Sequence, residues 1–211
     1  MVIGSGQMGS GIAQVMAQAG YDVILNDIKE EFVQRGFTKI EKGLTREVEK
    51  GRKTEAEKQR ILVHFTLSTD IQDAKEAQLV IEAATENKKI KLSIFKELDE
   101  ITDKETILAS NTSSLSITEI AAATNRPEKV IGLHFFNPVP VMKLVEINRG
   151  LATDDETTAT IKALSEKIGK ITIDIKDSPG FAVNRILIPM INEAIFTVHE
   201  GIATLEEVDE A

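Results

Sequence analysis

Two sets of residues in this chain have the types and spacing to do chemistry. The first is the turn Gly4-Ser5-Gly6-Gln7-Met8-Gly9. In a G-x-G-x-x-G turn between a strand and a helix, the first glycine makes the bend. The second lets a pyrophosphate approach the backbone, and the third allows close helix–strand packing. Free N–H groups and the positive dipole end of the helix then face the phosphates. Gly4, Gly6, Gln7, Met8 and Gly9 are therefore candidate cofactor contacts. Asp27 follows about 20 residues on, where a carboxylate accepts a ribose 2′-hydroxyl and repels a 2′-phosphate. NAD is expected over NADP, and only Lys29 close by works against that choice.

The second set is His134 with Glu146. His134 lies in the apolar run Val130 to Phe136, where an imidazole needs a hydrogen-bond partner. Taken alone, a satisfied core histidine is the plainer reading. Glu146 lies inside Leu144-Val145-Glu146-Ile147, and a carboxylate in a strand interior is costly unless partnered. A His–Glu pair resolves both oddities. His64, near a helix end, and His199, late in a long helix, read as a surface residue and a helix-dipole partner.

The elements that must position these groups follow from hydrophobic patterning. Met1 to Ile3, the glycine turn, an amphipathic stretch from about Met8 to Ala19, and Tyr21 to Asp27 make a βαβ unit. From Lys29 to Val63 the pattern predicts no strand but a helical hairpin, broken at Lys50-Gly51-Arg52-Lys53. Strands are predicted over Gln78–Ala83, Glu105–Ser110, Lys129–Phe136, Lys143–Asn148 and Ile171–Ile175. Helices are predicted over Asn87–Ile101, Ile117–Ala123 and Asp154–Ile168. Capping-box spacing recurs at Thr54–Glu57, Ser116–Glu119, Thr153–Glu156 and Thr204–Glu207. Alternating strands and helices predict an α/β fold, a mostly parallel Rossmann-type dinucleotide-binding sheet over residues 1–178. Asp177-Ser178-Pro179-Gly180 breaks the pattern. After it, residues 179–211 predict the start of an all-helical part, with one long apolar helix over Phe181–Glu200 that contains Pro189.

Composition sets the limits. With 34 acidic against 25 basic residues the formal net charge is -9, which disfavours a broad nucleic-acid footprint. Aromatics make up only 4%, with no Trp, so a base-stacking platform is not expected either. The absence of cysteine removes disulfides, zinc–thiolate sites and thiol nucleophiles, and no metal site is expected. No apolar run approaches the roughly 18 residues of a membrane span. A soluble protein that handles small molecules is the expectation.

Three longer motifs carry a resemblance. SNTSS (Ser110 to Ser114), HFFNPVPVMKLVE (His134 to Glu146) and PGFAVNR (Pro179 to Arg185) resemble the 3-hydroxyacyl-CoA dehydrogenases, closest to the bacterial short-chain members. The resemblance runs over essentially the whole chain. It implies an NAD-dependent enzyme of fatty-acid or butyrate metabolism that is cytoplasmic, takes an acyl-CoA, and forms a homodimer through its C-terminal helices. It implies His134 as the general acid/base, Glu146 as its orienting partner, and Ser113 and Asn184 as substrate-bonding members of the catalytic set. Glu86, Lys91, Ser113 and Asn137 match cofactor-contacting positions, with Asn137 by the nicotinamide.

Lys50 matches a position that meets the coenzyme A tail, and the cationic turn Lys50, Arg52 and Lys53 suits its phosphates. The other cations of the hairpin, Arg35, Lys39, Lys42 and Arg46, read as a solvated face paired with Glu41, Glu47 and Glu49. The first strand is shorter than the family's, and the family continues past the last helix, so a truncated chain is the expectation. Other hydroxyacid dehydrogenases of this fold place a catalytic lysine where this chain has Asn184-Arg185. Lens crystallins that resemble the family use the fold structurally, and intact Ser113, His134, Glu146 and Asn184 speak against that alternative.

Overall fold

A computed structural model describes residues 1–211. Its strands are β1 (Val2–Ile3), β2 (Val23–Asn26), β3 (Phe65–Ser68), β4 (Leu79–Glu82), β5 (Ile107–Ser110), β6 (Val130–Phe135), β7 (Leu144–Arg149) and β8 (Ile171–Lys176). The helices are α1 (Gln7–Gln18), α2 (Glu30–Glu49), α3 (Glu55–Leu62), α4 (Lys88–Ile101), α5 (Ile117–Ala121), α6 (Asp155–Lys167), α7 (Val183–His199) and α8 (Leu205–Glu210). One eight-stranded sheet runs β3-β2-β1-β4-β5-β6-β7-β8. Every pair is parallel except β6 with β7. The order reverses between β1 and β4, and ligands of open α/β sheets bind beyond the carboxyl ends of the strands at such a point.

Alternation along the strands feeds two cores. Val2, Ile81 and Ala109 join the cluster that includes α1 and α2, whereas Ile3, Val80 and Leu108 join one with Phe95 and Leu98 of α4. Strand neighbours on opposite faces mean that the sheet is covered by helices on both sides.

The structure corrects several expectations. β3 lies in a stretch where no strand was anticipated, and at four residues with one buried side chain it has too short a pattern to read. It pairs with β2 from Val23–Phe65 to Asn26–Ser68. The first turn of α6 is capped by Asp154, which accepts from the Thr157 N–H at 2.6 Å, while the Thr153 hydroxyl donates to the Val130 carbonyl. Ser116 does cap α5, but Glu119 does not close the box, because it pairs with Lys88 at 2.7 Å. The boxes at Thr54–Glu57 and Thr204–Glu207 are complete.

Asp177 fixes where the sheet hands over to α7. It accepts from the Ser116 hydroxyl at 2.6 Å and from the N–H groups of Ile117 and Thr118. Burial works to raise its pKa, and these bonds outweigh that and hold it below the ordinary aspartate value. Phe181 then turns the chain with φ 51° and is buried. No helix is long and apolar enough to cross a membrane.

Candidate active site

The site grows from the loops at the carboxyl ends of β1, β2, β4, β5 and β6. The Gly4 N–H bonds the Asn26 carbonyl at 2.8 Å, so the glycine turn starts across the end of β2. Gly4 has φ +93°, and a Cβ on Gly9 would lie 1.7 Å from the Gly4 carbonyl oxygen, so neither tolerates a side chain. A Cβ on Gly6 would meet nothing within 4 Å. Gly6 thus keeps open the space before the α1 N-terminus, where a diphosphate would sit, and packing does not require it. Asp27 accepts from the Ser5 N–H at 2.8 Å, the Ser5 hydroxyl at 2.7 Å and the Ile28 N–H at 2.8 Å. A carboxylate has about four acceptor positions, which leaves one for a ribose hydroxyl. Lys29 is drawn to Glu31 at 3.7 Å. These residues fit a dinucleotide.

A consequence concerns cofactor choice. NADH should bind more tightly than NADPH, and Asp27→Ala should narrow the gap, mainly by weakening NADH about tenfold, the worth of one good bond to a charged group. Titration of both dinucleotides against parent and variant checks this, and equal affinities in the parent would contradict the role given to Asp27.

The catalytic pair comes from sheet register. His134 and Glu146 are directly opposite each other in the β6–β7 ladder. His134 Nδ1 lies 2.6 Å from Glu146 Oε2, with the carboxylate fully buried and the imidazole almost so. The other carboxylate oxygen accepts from the N–H groups of Ala182 and Val183, at 3.0 and 2.9 Å, and so caps the first turn of α7. Burial acts to raise the Glu146 pKa. The bonds from His134, Val183 and Ala182 outweigh it and leave the pKa below the ordinary value. Phe136 and Phe181 pack on the imidazole, with ring centroids 4.6 and 5.7 Å away.

His134 lines a cleft of about 540 Å³ together with Met8, Glu86, Lys91, Ser113, Asn137 and Asn184. The structure therefore brings together all four expected catalytic residues, Glu146 through its bond to His134, and half of the expected cofactor contacts. Glu86 organises one wall: it accepts from the Thr112 hydroxyl, the Ser113 N–H at 2.7 Å and the Ser113 hydroxyl at 2.8 Å. Asn184 donates to the Ser113 carbonyl at 3.3 Å. Asn137 accepts from Gln7 at 2.7 Å, which joins the glycine turn to the cleft. Lys50, Arg52 and Lys53 lie elsewhere, at the tip of the α2–α3 hairpin, with Arg52 turned to Glu47 at 3.4 Å.

Two residues of this region escaped the sequence reading. Glu82 is fully buried at the end of β4 and forms an ion pair with the equally buried Lys91. It also accepts from the Ala84 N–H at 2.9 Å and the Ser110 hydroxyl at 3.2 Å. A carboxylate closing an apolar strand was the available signal. Asn111 lines the same cleft and accepts from the Phe135 N–H at 2.9 Å, fastening β5 to the strand that bears His134. No cluster of three His, Cys, Asp or Glu side chains is placed to hold a metal ion.

The cations of α2 also differ from expectation. Arg35, Lys39, Lys42 and Arg46 make no carboxylate pair; of the hairpin's expected partners only Glu47 is engaged, by Arg52. These four line a groove of about 620 Å³ that Gln7 and Asn137 also border.

Comparison with known proteins agrees with this geometry. The family model described as 3-hydroxyacyl-CoA dehydrogenase, NAD binding domain, matches residues 1–178, and the family's C-terminal domain matches residues 180–211. A probable 3-hydroxybutyryl-CoA dehydrogenase of Bacillus subtilis (strain 168) is 53% identical over 210 residues, covering 100% of this chain and 73% of its own. The 3-hydroxybutyryl-CoA dehydrogenase of Clostridioides difficile is 51% identical, covering 100% of this chain and 75% of its own. A crystal structure of (S)-3-hydroxybutyryl-CoA dehydrogenase from Ralstonia eutropha superposes with a TM-score of 0.96 at 50% identity, covering 98% of this chain and 73% of that one. The dinucleotide turn, the buried histidine–glutamate pair and these matches along the full length establish that the chain belongs to the 3-hydroxyacyl-CoA dehydrogenase family.

Proposed function

We propose that this protein interconverts 3-hydroxyacyl-CoA and 3-ketoacyl-CoA with NAD, and that its substrate pair is 3-hydroxybutyryl-CoA and acetoacetyl-CoA. The observation that carries the reading is the buried His134–Glu146 pair at the wall of a cleft continuous with the dinucleotide turn. Oxidising a 3-hydroxyl removes a hydride from carbon and a proton from oxygen. The residues of the glycine turn and Asp27 would hold NAD, which would supply the hydride acceptor. Glu146 accepts the Nδ1–H of His134, which fixes the tautomer and leaves Nε2 to take the hydroxyl proton. In the reverse direction Nε2 returns that proton to the ketone oxygen, and Glu146 stabilises the imidazolium in between. Ser113 and Asn184, which are hydrogen-bonded to each other at the cleft, supply hydrogen bonds to the substrate oxygens. Glu86 and Lys91 belong to the cofactor side of the same wall.

The reading assigns the substrate's phosphates to α2. Arg35, Lys39, Lys42 and Arg46 recur at three- and four-residue spacing and so share one helix face, which ends near Lys50. Unpaired cations on the rim of a groove bordered by Asn137 suit a polyphosphate tail whose thioester end reaches His134. Oxidation of NADH with acetoacetyl-CoA tests the activity. Lys39→Ala with Lys42→Ala should raise the KM for acetoacetyl-CoA about tenfold, some 0.7 kcal/mol per exposed charge. A truncated thioester without phosphates should be insensitive to the change. Turnover of acetoacetate but not its CoA thioester would sink the reading, and an unchanged KM would return these cations to a solvated face.

The proposal includes a division into a dinucleotide-binding part, residues 1–178, and the start of a helical part, residues 179–211, in a cytoplasmic enzyme. It includes self-association through α7. Ile186, Ile188, Met190, Ile191, Ile195 and Phe196 are between 46 and 69% exposed on that helix. An apolar face of this extent is stable in water only when covered. Sedimentation of the chain should show a dimer or larger species, and Ile188→Glu with Ile195→Glu should reduce it. A monomer that binds no apolar dye would contradict this.

A further inference from the structure

We propose that Lys170 is a positioning residue that sets the nicotinamide-side loop between β6 and β7. The proposal rests on the dinucleotide reading above. Lys170 stands at the entry to β8, is only 8% exposed, and has no carboxylate within ion-pair distance. Its ammonium donates to the backbone carbonyls of Val139 and, at 2.8 Å, Met142. No backbone N–H reaches either carbonyl, because the turn directs both Val141 and Met142 N–H groups onto the Pro138 carbonyl at 2.9 Å. Withdrawing a cation from water without a counter-charge is expensive, and an apolar residue would fill that space at lower cost. Burial accordingly holds the Lys170 pKa below the ordinary lysine value.

What the amine fixes is the loop of residues 137–143. Its first residue, Asn137, accepts from Gln7 of α1. Its Val139 presses on α1 so closely that a Cβ on Gly11 would lie 2.9 Å from the Val139 Cβ. The loop is thus held between α1 on one side and Lys170 on the other. Asn137 borders both the His134 cleft and the α2 groove. The pyrophosphate end belongs to the glycine turn and the adenosine ribose to Asp27. The reacting ring must lie toward His134, and therefore against Asn137. Lys170 acts on the nicotinamide end of the cofactor through this loop and does not touch the adenosine end.

The test compares two ligands. NADH and ADP-ribose, which lacks the nicotinamide, are titrated against parent, Lys170→Met and Lys170→Arg. Lys170→Met should weaken NADH about tenfold, or 1.4 kcal/mol, and leave ADP-ribose within about twofold. Lys170→Arg, which still donates to both carbonyls, should restore most of the NADH affinity. A purely structural role would lower the unfolding midpoint and move the two ligands together. Equal weakening of both, or of neither, in folded variant overturns the proposal. If Lys170→Met does not fold, Lys170→Gln, a shorter and uncharged donor, must show the same NADH-selective loss at smaller size, and its absence is equally decisive. A parent that binds neither ligand would instead overturn the dinucleotide reading.

Discussion

His134→Gln is expected to lower kcat by roughly 10²–10⁴-fold, the usual worth of a positioned acid/base, while NADH still binds. The dinucleotide contacts lie at Gly4 to Gly9 and Asp27, and the substitution leaves them in place. Glu146→Gln keeps the shape of the partner but removes its charge. It should lower kcat by a smaller factor and move the acidic limb of the pH–rate profile to lower pH. Because Glu146 works on the proton transfer only through the imidazole, losses in the double variant should not add. Strictly additive losses would mean that Glu146 acts independently, by capping α7 through Ala182 and Val183. That second role predicts a stability effect with a definite sign. The Glu146 pKa is lowered on folding from its ordinary 4.5, so its contribution is complete above that pH and lost as pH falls below it. The parent should therefore lose stability below about pH 4.5 more steeply than Glu146→Gln does.

Lys91→Met should cost about 3–5 kcal/mol of stability, because it strands the Glu82 carboxylate in a fully buried place. For a chain of this size each kcal/mol is worth roughly 2–4 °C, so the midpoint should fall on the order of 10 °C. The remaining donors to Glu82, the N–H groups of Ala84 and Thr85 and the Ser110 hydroxyl, cannot neutralise it. Glu82→Gln combined with Lys91→Met should recover much of the loss, since no buried unpaired charge then remains; Glu86, the other carboxylate near Lys91, is half-exposed. Thermal and denaturant unfolding of the four forms make the cycle. A loss below about 1 kcal/mol in Lys91→Met would mean that water reaches Glu82 and that the pair behaves as an exposed one. The pair also anchors the wall that carries Glu86 and Ser113. The doubly substituted protein should thus be stable yet bind NADH more weakly than the parent.

Much of the site was legible because its signals are local. The glycine turn, α1 and Asp27 lie within one βαβ unit, where Gly4 bonds the Asn26 carbonyl and Gly9 packs on Gly4. The boxes at Thr54–Glu57 and Thr204–Glu207 are decided within four residues. Where a second, distant partner competes, local spacing misleads. Glu119 fits a box but pairs with Lys88, and Thr153 is drawn to Val130 while Asp154 does the capping. Carboxylates were expected to neutralise the α2 cations along the helix. None of Arg35, Lys39, Lys42 and Arg46 has such a partner, and Glu47 turns instead to Arg52 beyond the helix end, which leaves one unpaired face beside the Asn137 loop.

The residue types by themselves determined a dinucleotide-binding α/β sheet, and a histidine and a glutamate that each needed a buried partner. Folding decided that they serve each other. The β6–β7 ladder is antiparallel and puts His134 opposite Glu146, and a slip of one residue would turn the carboxylate to the other face of the sheet. Tertiary structure alone also joined Gln7 to Asn137, Lys91 to Glu82, Lys170 to the loop of residues 137–143, and the start of α7 to Glu146. A side chain's type states what partner burial will demand. Which group meets that demand is set by strand order and register, and these depend on the packing of the whole sheet.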